Sequence, residues 1–386
     1  MFNLFLKHSH LEYFKSVLSL FIFHRLETKT MQNAPFKLPD LLASYQGKPF
    51  VPQLVNTNIQ SLWRYENFLP LGAEDAVTLG EGFTPLLPIE LDGKVVHIKQ
   101  EQLFPTGSYK DRGASVLISM ANEAGVRQVV QDSSGNAGCA IAAYAAHAKM
   151  TCEIYVPAQT APAKLAQIRM YGAEIILVEG TREDTAKAAT ERAKHVYYAS
   201  HCYHQGFYQG TKTFAYEVCE QLGWQAPDTL LLPAGNGTLI IGCYLGFYHL
   251  LQSNIIDKMP RIIGVQTANC APLYHSFIQQ TKSAVYADIK PTIAEGIAIA
   301  SPVQGPLILD IIEATNGKII TVTEEEIVAA LKLCGGMGFY IEPTSAATIA
   351  GVRNYLAATS AHEVIVSLFS GHGLKSTEKI LSILNK

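Results

Sequence analysis

Four short stretches of this sequence carry the residue types that reactive chemistry needs. The first is Pro105-Thr106-Gly107-Ser108-Tyr109-Lys110-Asp111-Arg112-Gly113. Pro105 and Gly107 interrupt regular structure, Ser108 is a candidate cap, and the spacing predicts a helix starting near Lys110. An amine held at the positive end of a helix is disfavoured as ammonium. The neutral form is the nucleophile that attacks a carbonyl to give an imine. A lysine in a first helical turn is more often a solvated surface residue, so this stretch takes its meaning from the other three.

The second, Ser133-Ser134-Gly135-Asn136-Ala137-Gly138, follows an apolar run and opens an Ala-rich one. Its backbone N–H groups and hydroxyls suit a carboxylate or phosphate, though a serine-capped strand-to-helix turn would look the same. The third, Ala234-Gly235-Asn236-Gly237-Thr238, has two glycines that let backbone curl around an anion and a hydroxyl that can donate to it. It is no dinucleotide fingerprint, because Ile240 holds the third glycine position. It is no P-loop either, because no Lys-Ser/Thr pair follows. The fourth is Ser370-Gly371-His372-Gly373-Leu374-Lys375. Ser370 can hydrogen-bond a ring nitrogen without forcing its protonation. A nucleophile elbow is ruled out, since Leu368 stands where a glycine would be required.

The elements that must position these loops follow from the hydrophobic pattern. Strands are expected at Val126–Gln131, Glu153–Val156, Glu174–Val178, Thr229–Leu232, Arg261–Gln266, Ile319–Val322 and Glu363–Phe369. Helical patterns separate them: Ala137–Ala148, Ala161–Tyr171, Arg182–Lys194, Leu239–Leu251, Glu324–Leu333, Ser345–Leu356 and Lys375–Leu384. Such alternation implies an α/β fold of mostly parallel sheets flanked by helices, and 386 residues suit two lobes. Ligands then gather beyond the carboxyl ends of the strands, where all four loops fall. The stretch Pro291–Pro306 reads as a loop-rich connection.

A net charge of −3 gives no electrostatic case for nucleic acid or an anionic membrane. Seven cysteines without a CxxC pair argue against a zinc site or a disulfide framework, so no metal is expected. Buried thiols in a reducing, cytoplasmic compartment explain them. The apolar run Val17–Phe23 is too short to span a bilayer, and no cleavage signal follows before Glu27. Residues 1–30 therefore read as an N-terminal extension, with the domain pattern beginning near Met31.

These loops resemble, in their order, the fold-type-II pyridoxal-phosphate (PLP) enzymes related to tryptophan synthase β. Within that group they are most similar to the threonine synthases. The stretches that carry the resemblance are EGFTPL from Glu81, PTGSYKDRG, SSGNAG, Tyr171-Gly-Ala, GNGT, Glu342-Pro-Thr-Ser-Ala and SGHGLK. They span about Trp63 to Lys375. The resemblance implies that Lys110 is the Schiff-base lysine and that Gly235, Asn236, Gly237 and Thr238 hold the pyridoxal 5'-phosphate phosphate. Asn136 would meet the ring hydroxyl and Ser370 the pyridine nitrogen. Thr84, Ser133, Ser134 and Ala137 would receive the substrate carboxylate or its distal phosphate, with Lys164 or Arg112 as a further cation. It also implies two lobes, a smaller one of 31–74 plus 110–211 and a larger one of 75–109 plus 212–386, with PLP between them, in a homodimer.

The activity implied is conversion of O-phosphohomoserine and water to threonine and phosphate. The small-molecule partner is thus an amino acid. Serine/threonine dehydratase, cysteate synthase and diaminopropionate ammonia-lyase chemistry would use the same loops, and a non-catalytic phosphate-binding protein is the reading from another class. Three departures from the threonine synthase pattern bear on substrate: Phe104 in place of Asn, Tyr109 in place of Phe, and Ser376 where an acid is frequent.

Overall fold

Strands that are apolar throughout must be covered on both faces, and the core shows how this chain does it. In the computed structural model, residues 35–43, 48–282, 288–359 and 363–385 are described, so the extension at 1–30 lies outside them. A six-stranded sheet contains β1 (Leu86–Leu91) and β2 (Lys94–Lys99). It also holds β7 (Thr229–Pro233), β8 (Arg261–Thr267), β9 (Lys318–Val322) and β10 (Ile365–Leu368), in the order β1-β2-β10-β7-β8-β9. A four-stranded sheet has β3 (Gln128–Gln131), β4 (Thr151–Pro157), β5 (Glu174–Val178) and β6 (Tyr197–Tyr198), in the order β5-β4-β3-β6. All pairings are parallel except β1 with β2.

The two-residue period of a strand divides the core. Leu230 and Leu232 pack into the apolar cluster shared with helices Thr213–Gln221 and Thr238–Gln252. Leu231 between them faces the opposite cluster, with Ile349 and Val352 of helix Pro343–Leu356. Burying one such leucine contributes about 1.5–3 kcal/mol. In the four-stranded sheet, Val129 packs with Ile141 and Tyr144 of helix Asn136–His147. Val130 faces Ala189 of helix Arg182–Arg192.

The hairpin β1–β2 was not expected from the pattern. Its turn is Asp92-Gly93, both at positive φ (49° and 75°), with Leu91 paired to Lys94. An Asp-Gly pair is a strong hairpin signal. Pro88 inside β1 obscured it, yet β1 pairs only with β2, and an edge strand tolerates proline. Helices Gln205–Thr211, Thr213–Gln221 and Pro272–Ile278 were also not anticipated. The 291–306 connection holds a short 3-10 turn at Glu295–Ile297 and runs into helix Gly305–Ala314. All seven cysteines are buried. No described helix is long and apolar enough to cross a membrane.

Candidate active site

The four loops converge on one cleft of about 1030 Å³, whose walls include Lys110, Ser133, Asn136, Gly235, Asn236 and Glu342. Lys110 is the first residue of helix Lys110–Glu123. Ser108 does not cap that helix. Tyr109 occupies the cap position without a side-chain bond, and the buried Ser108 hydroxyl finds no hydrogen-bond partner. Asp111 fixes the preceding turn by accepting from the Thr106 amide (2.8 Å) and the Thr106 hydroxyl. The Lys110 amine donates to Thr238 Oγ1 at 2.6 Å, and the Tyr109 hydroxyl lies 3.1 Å from the same oxygen. Chain positions 110 and 238 thus meet in the one cleft.

Thr238 begins the second anion cradle. Gly237 takes a left-handed φ of 73° as the cap of helix Thr238–Gln252, and a Cβ there would lie 2.2 Å from Ile308 Cδ1. The amides of Gly235, Asn236, Gly237 and Thr238 donate no hydrogen bond. Unsatisfied N–H groups at a helix N-terminus, with the Thr238 hydroxyl bonded to the Lys110 amine, fit a phosphorylated ligand that carries a carbonyl. Ser133, Ser134 and Ala137 line the same cleft where helix Asn136–His147 starts. Gly138 is required there, since a Cβ would sit 1.8 Å from Ser133 O.

Asn136 and Ser370 are joined by a residue to which sequence reasoning gave no role. Glu342 accepts from Asn136 Nδ2 (3.0 Å) and from Ser370 Oγ (2.9 Å), and Ser345 Oγ lies 3.0 Å from Ser370 Oγ. Burial pushes the Glu342 carboxyl above its usual range, against the two hydrogen bonds and the charges of Lys375 and Lys110. Glu342 opens one of the stretches that carry the family resemblance, but it precedes Pro343 at a helix start, where an acid is ordinary, so nothing in the sequence gave it a role.

Other expected contacts lie elsewhere or are already engaged. Thr84 does not line the cleft. Its hydroxyl donates to Glu101 (2.7 Å) and its carbonyl accepts from Lys99. Arg112 is fully buried and does not line the cleft; it donates four hydrogen bonds to the Glu101 and Glu217 carboxylates and a fifth to Thr213 Oγ1. Lys164 does line the cleft, paired with Glu295 at 3.0 Å. His201 and Arg182, absent from the sequence reading, line it too. His201 is held neutral, its pKa pushed well below the usual value by burial and then by Lys110 and Arg182. Among the described residues, no group of three or more His, Cys, Asp or Glu could hold a metal ion.

Comparison with known proteins agrees with this chemistry. Residues 77–371 match the family model described as pyridoxal-phosphate dependent enzyme. The threonine synthase of Methanocaldococcus jannaschii is 38% identical over 82% of this chain and 81% of its own. That of Methanosarcina acetivorans is 32% identical over 90% and 88%. Among solved structures, the processed threonine deaminase isoform 2 of Solanum lycopersicum superimposes with a TM-score of 0.67. It is 21% identical and covers 91% of this chain and 90% of its own, a likeness of fold.

Proposed function

The chain belongs to the pyridoxal-phosphate-dependent enzymes, and within them we propose that it converts O-phosphohomoserine and water to L-threonine and phosphate. One observation carries the reading: a single cleft presents an amine and the approaches to two separate helix N-termini, at Asn136 and, through Gly235 and Asn236, at Thr238, able to take two different anions. A phosphorylated cofactor needs one of them. An amino-acid carboxylate needs the other.

Pyridoxal phosphate supplies an electron sink that stabilises negative charge developing on the substrate. The protein's part is placement and proton traffic. Lys110 is the residue we assign to carry the cofactor as a Schiff base, with Gly235, Asn236, Gly237 and Thr238 around its phosphate. Asn136 would meet the ring hydroxyl, and Ser370, backed by Glu342, the ring nitrogen. The Lys110 amine, 2.6 Å from Thr238 Oγ1, is placed to hold and return protons at the substrate's α and β carbons. Ser133, Ser134 and Ala137 are assigned to the substrate carboxylate. Seven buried thiols favour residence in the cytoplasm, and the likeness to the threonine synthases favours a homodimer of two-lobed subunits.

The test is release of phosphate from O-phosphohomoserine with stoichiometric L-threonine. A wild-type enzyme that dehydrates L-serine or L-threonine far faster would instead make it a dehydratase.

A further inference from the structure

We propose that His201 is a positioning residue for the cofactor cradle, fixing the Asn236 side chain so that its Nδ2 faces the cleft as a hydrogen-bond donor. This rests on the reading that residues 235–238 hold the cofactor phosphate.

The chain of hydrogen bonds begins at two backbone groups, whose donor and acceptor roles are fixed. Gln131 closes β3, where its Oε1 accepts from the Asp132 amide (2.6 Å) and its Nε2 donates to Ala199 O (2.8 Å). The Gln131 carboxamide thus has one orientation only. Its Nε2 lies 3.3 Å from Nδ1 of His201, in the loop after β6. A donor there makes Nδ1 the acceptor, so a neutral ring carries its proton on Nε2. The ring is neutral, because burial and then the charges of Lys110 and Arg182 oppose protonation. Phe207 packs against it in a T-shaped contact, 6.0 Å between centroids.

The Nε2 proton meets Asn236 in the loop after β7. The Asn236 carboxamide turns Nδ2 toward that N–H at 3.2 Å, donor against donor. Half a turn about Cβ–Cγ leaves the shape of the amide unchanged and brings Oδ1 to the proton instead. Nδ2 then takes the opposite end, on a side chain that lines the cleft and has no other bond among the described residues. There it joins the backbone amides of the same loop, which donate no hydrogen bond either. A side-chain donor added to those amides strengthens an anion cradle. Without the Nε2 proton the same amide is free to present its oxygen, which repels a phosphate.

Two replacements separate the two ring nitrogens. His201→Gln keeps a donor near the Nε2 position and gives up the acceptor for Gln131. His201→Asn keeps an acceptor near the Nδ1 position and gives up the donor to Asn236. Affinity for pyridoxal phosphate, titrated by absorbance as the full chain is reconstituted, should fall about 10-fold for His201→Asn. His201→Gln should recover it to within about threefold of wild type. Asn236→Ala should lose about as much as His201→Asn, and the double variant no more than Asn236→Ala alone, since His201 acts through that side chain. In the wild-type holoenzyme, long-range proton–nitrogen NMR should find His201 neutral with its proton on Nε2. A proton on Nδ1, or additive losses in the double variant, would overturn the proposal. So would His201→Asn binding cofactor as wild type does while Asn236→Ala does not. Should Asn236→Ala itself leave cofactor affinity unchanged, the assignment of the cradle to the cofactor phosphate fails, and the proposal with it.

Discussion

Glu342 and Ser370 share a hydrogen bond of 2.9 Å from the serine hydroxyl to the carboxylate, with both residues buried. Ser370 was assigned to the ring nitrogen because a hydroxyl leaves that nitrogen's protonation undecided. A carboxyl behind the hydroxyl changes the argument. When Glu342 ionises, its charge is felt through Ser370 and favours a proton on whatever base the serine meets.

Glu342→Gln should therefore retain cofactor yet lose a titration. The Glu342 carboxyl is raised by burial, so ionisation comes at higher pH than for an exposed glutamate. The visible absorbance of the wild-type holoenzyme should shift as pH rises through that ionisation, while the variant's should not. Identical pH profiles in both proteins would remove Glu342 from control of the ring.

Lys110→Ala should abolish turnover, by a factor of about 10³ or more, since both cofactor attachment and proton transfer are lost. The fold should survive, as the helix is held by Asp111 and Arg112 and not by the amine. Borohydride reduction followed by peptide mass mapping should attach the cofactor to Lys110 in wild type. An adduct on another lysine would refute the assignment.

The buried charge cluster behind that helix invites a stability measurement. Glu217 pairs with Arg112 (2.6 Å) and Lys99 (2.7 Å), all fully buried, while Glu101 takes the other side of Arg112. Burial opposes ionisation of Glu217, but the two cations outweigh it and hold its pKa below the usual value. Glu217→Ala strands a buried cation and should cost about 3–5 kcal/mol, read from urea unfolding. A loss under 1 kcal/mol would mean that water or a rearranged partner takes over.

How much of this was legible in the sequence depends on what kind of signal each residue leaves. Lys110, Asn136 and the 235–238 loop sit in turns whose glycines and prolines punctuate the chain; Lys110, Asn136, Gly235 and Asn236 line the cleft, and Thr238 meets it through the Lys110 amine. Apolar runs such as Thr229–Leu232 located the buried parallel strands, because burial on both faces leaves no alternation to misread. Thr84 and Arg112 mislead for a shared reason. A polar residue within a motif looks like a ligand, yet Thr84 and Arg112 both donate to Glu101, and Arg112 also to Glu217, 105 positions along the chain. His201 and Arg182 left no signal at all, since a lone histidine and a helix-start arginine are commonplace until the sheet brings their loops together.

The last prediction concerns Asp111, whose carboxyl is fully buried and pushed up to about 7, burial outweighing the two hydrogen bonds from Thr106. An unfolded aspartate titrates near pH ~3.9. Below about pH 4 both states hold the proton, and the group contributes no pH dependence. Between about 4 and 7 the unfolded chain has released its proton and the native protein has not. Stability contributed by the protonated group is therefore lost as pH rises, at about 1.4 kcal/mol per pH unit, levelling off above 7. Asp111→Asn cannot titrate but keeps one oxygen to accept from Thr106. The difference in unfolding free energy between wild type and variant should thus move steadily against wild type from pH 5 to 7 and then flatten. Urea unfolding of the cofactor-free proteins at pH 5, 6, 7 and 8 measures it. A difference that stays constant across the series would show that Asp111 is already ionised in the folded protein at pH 5.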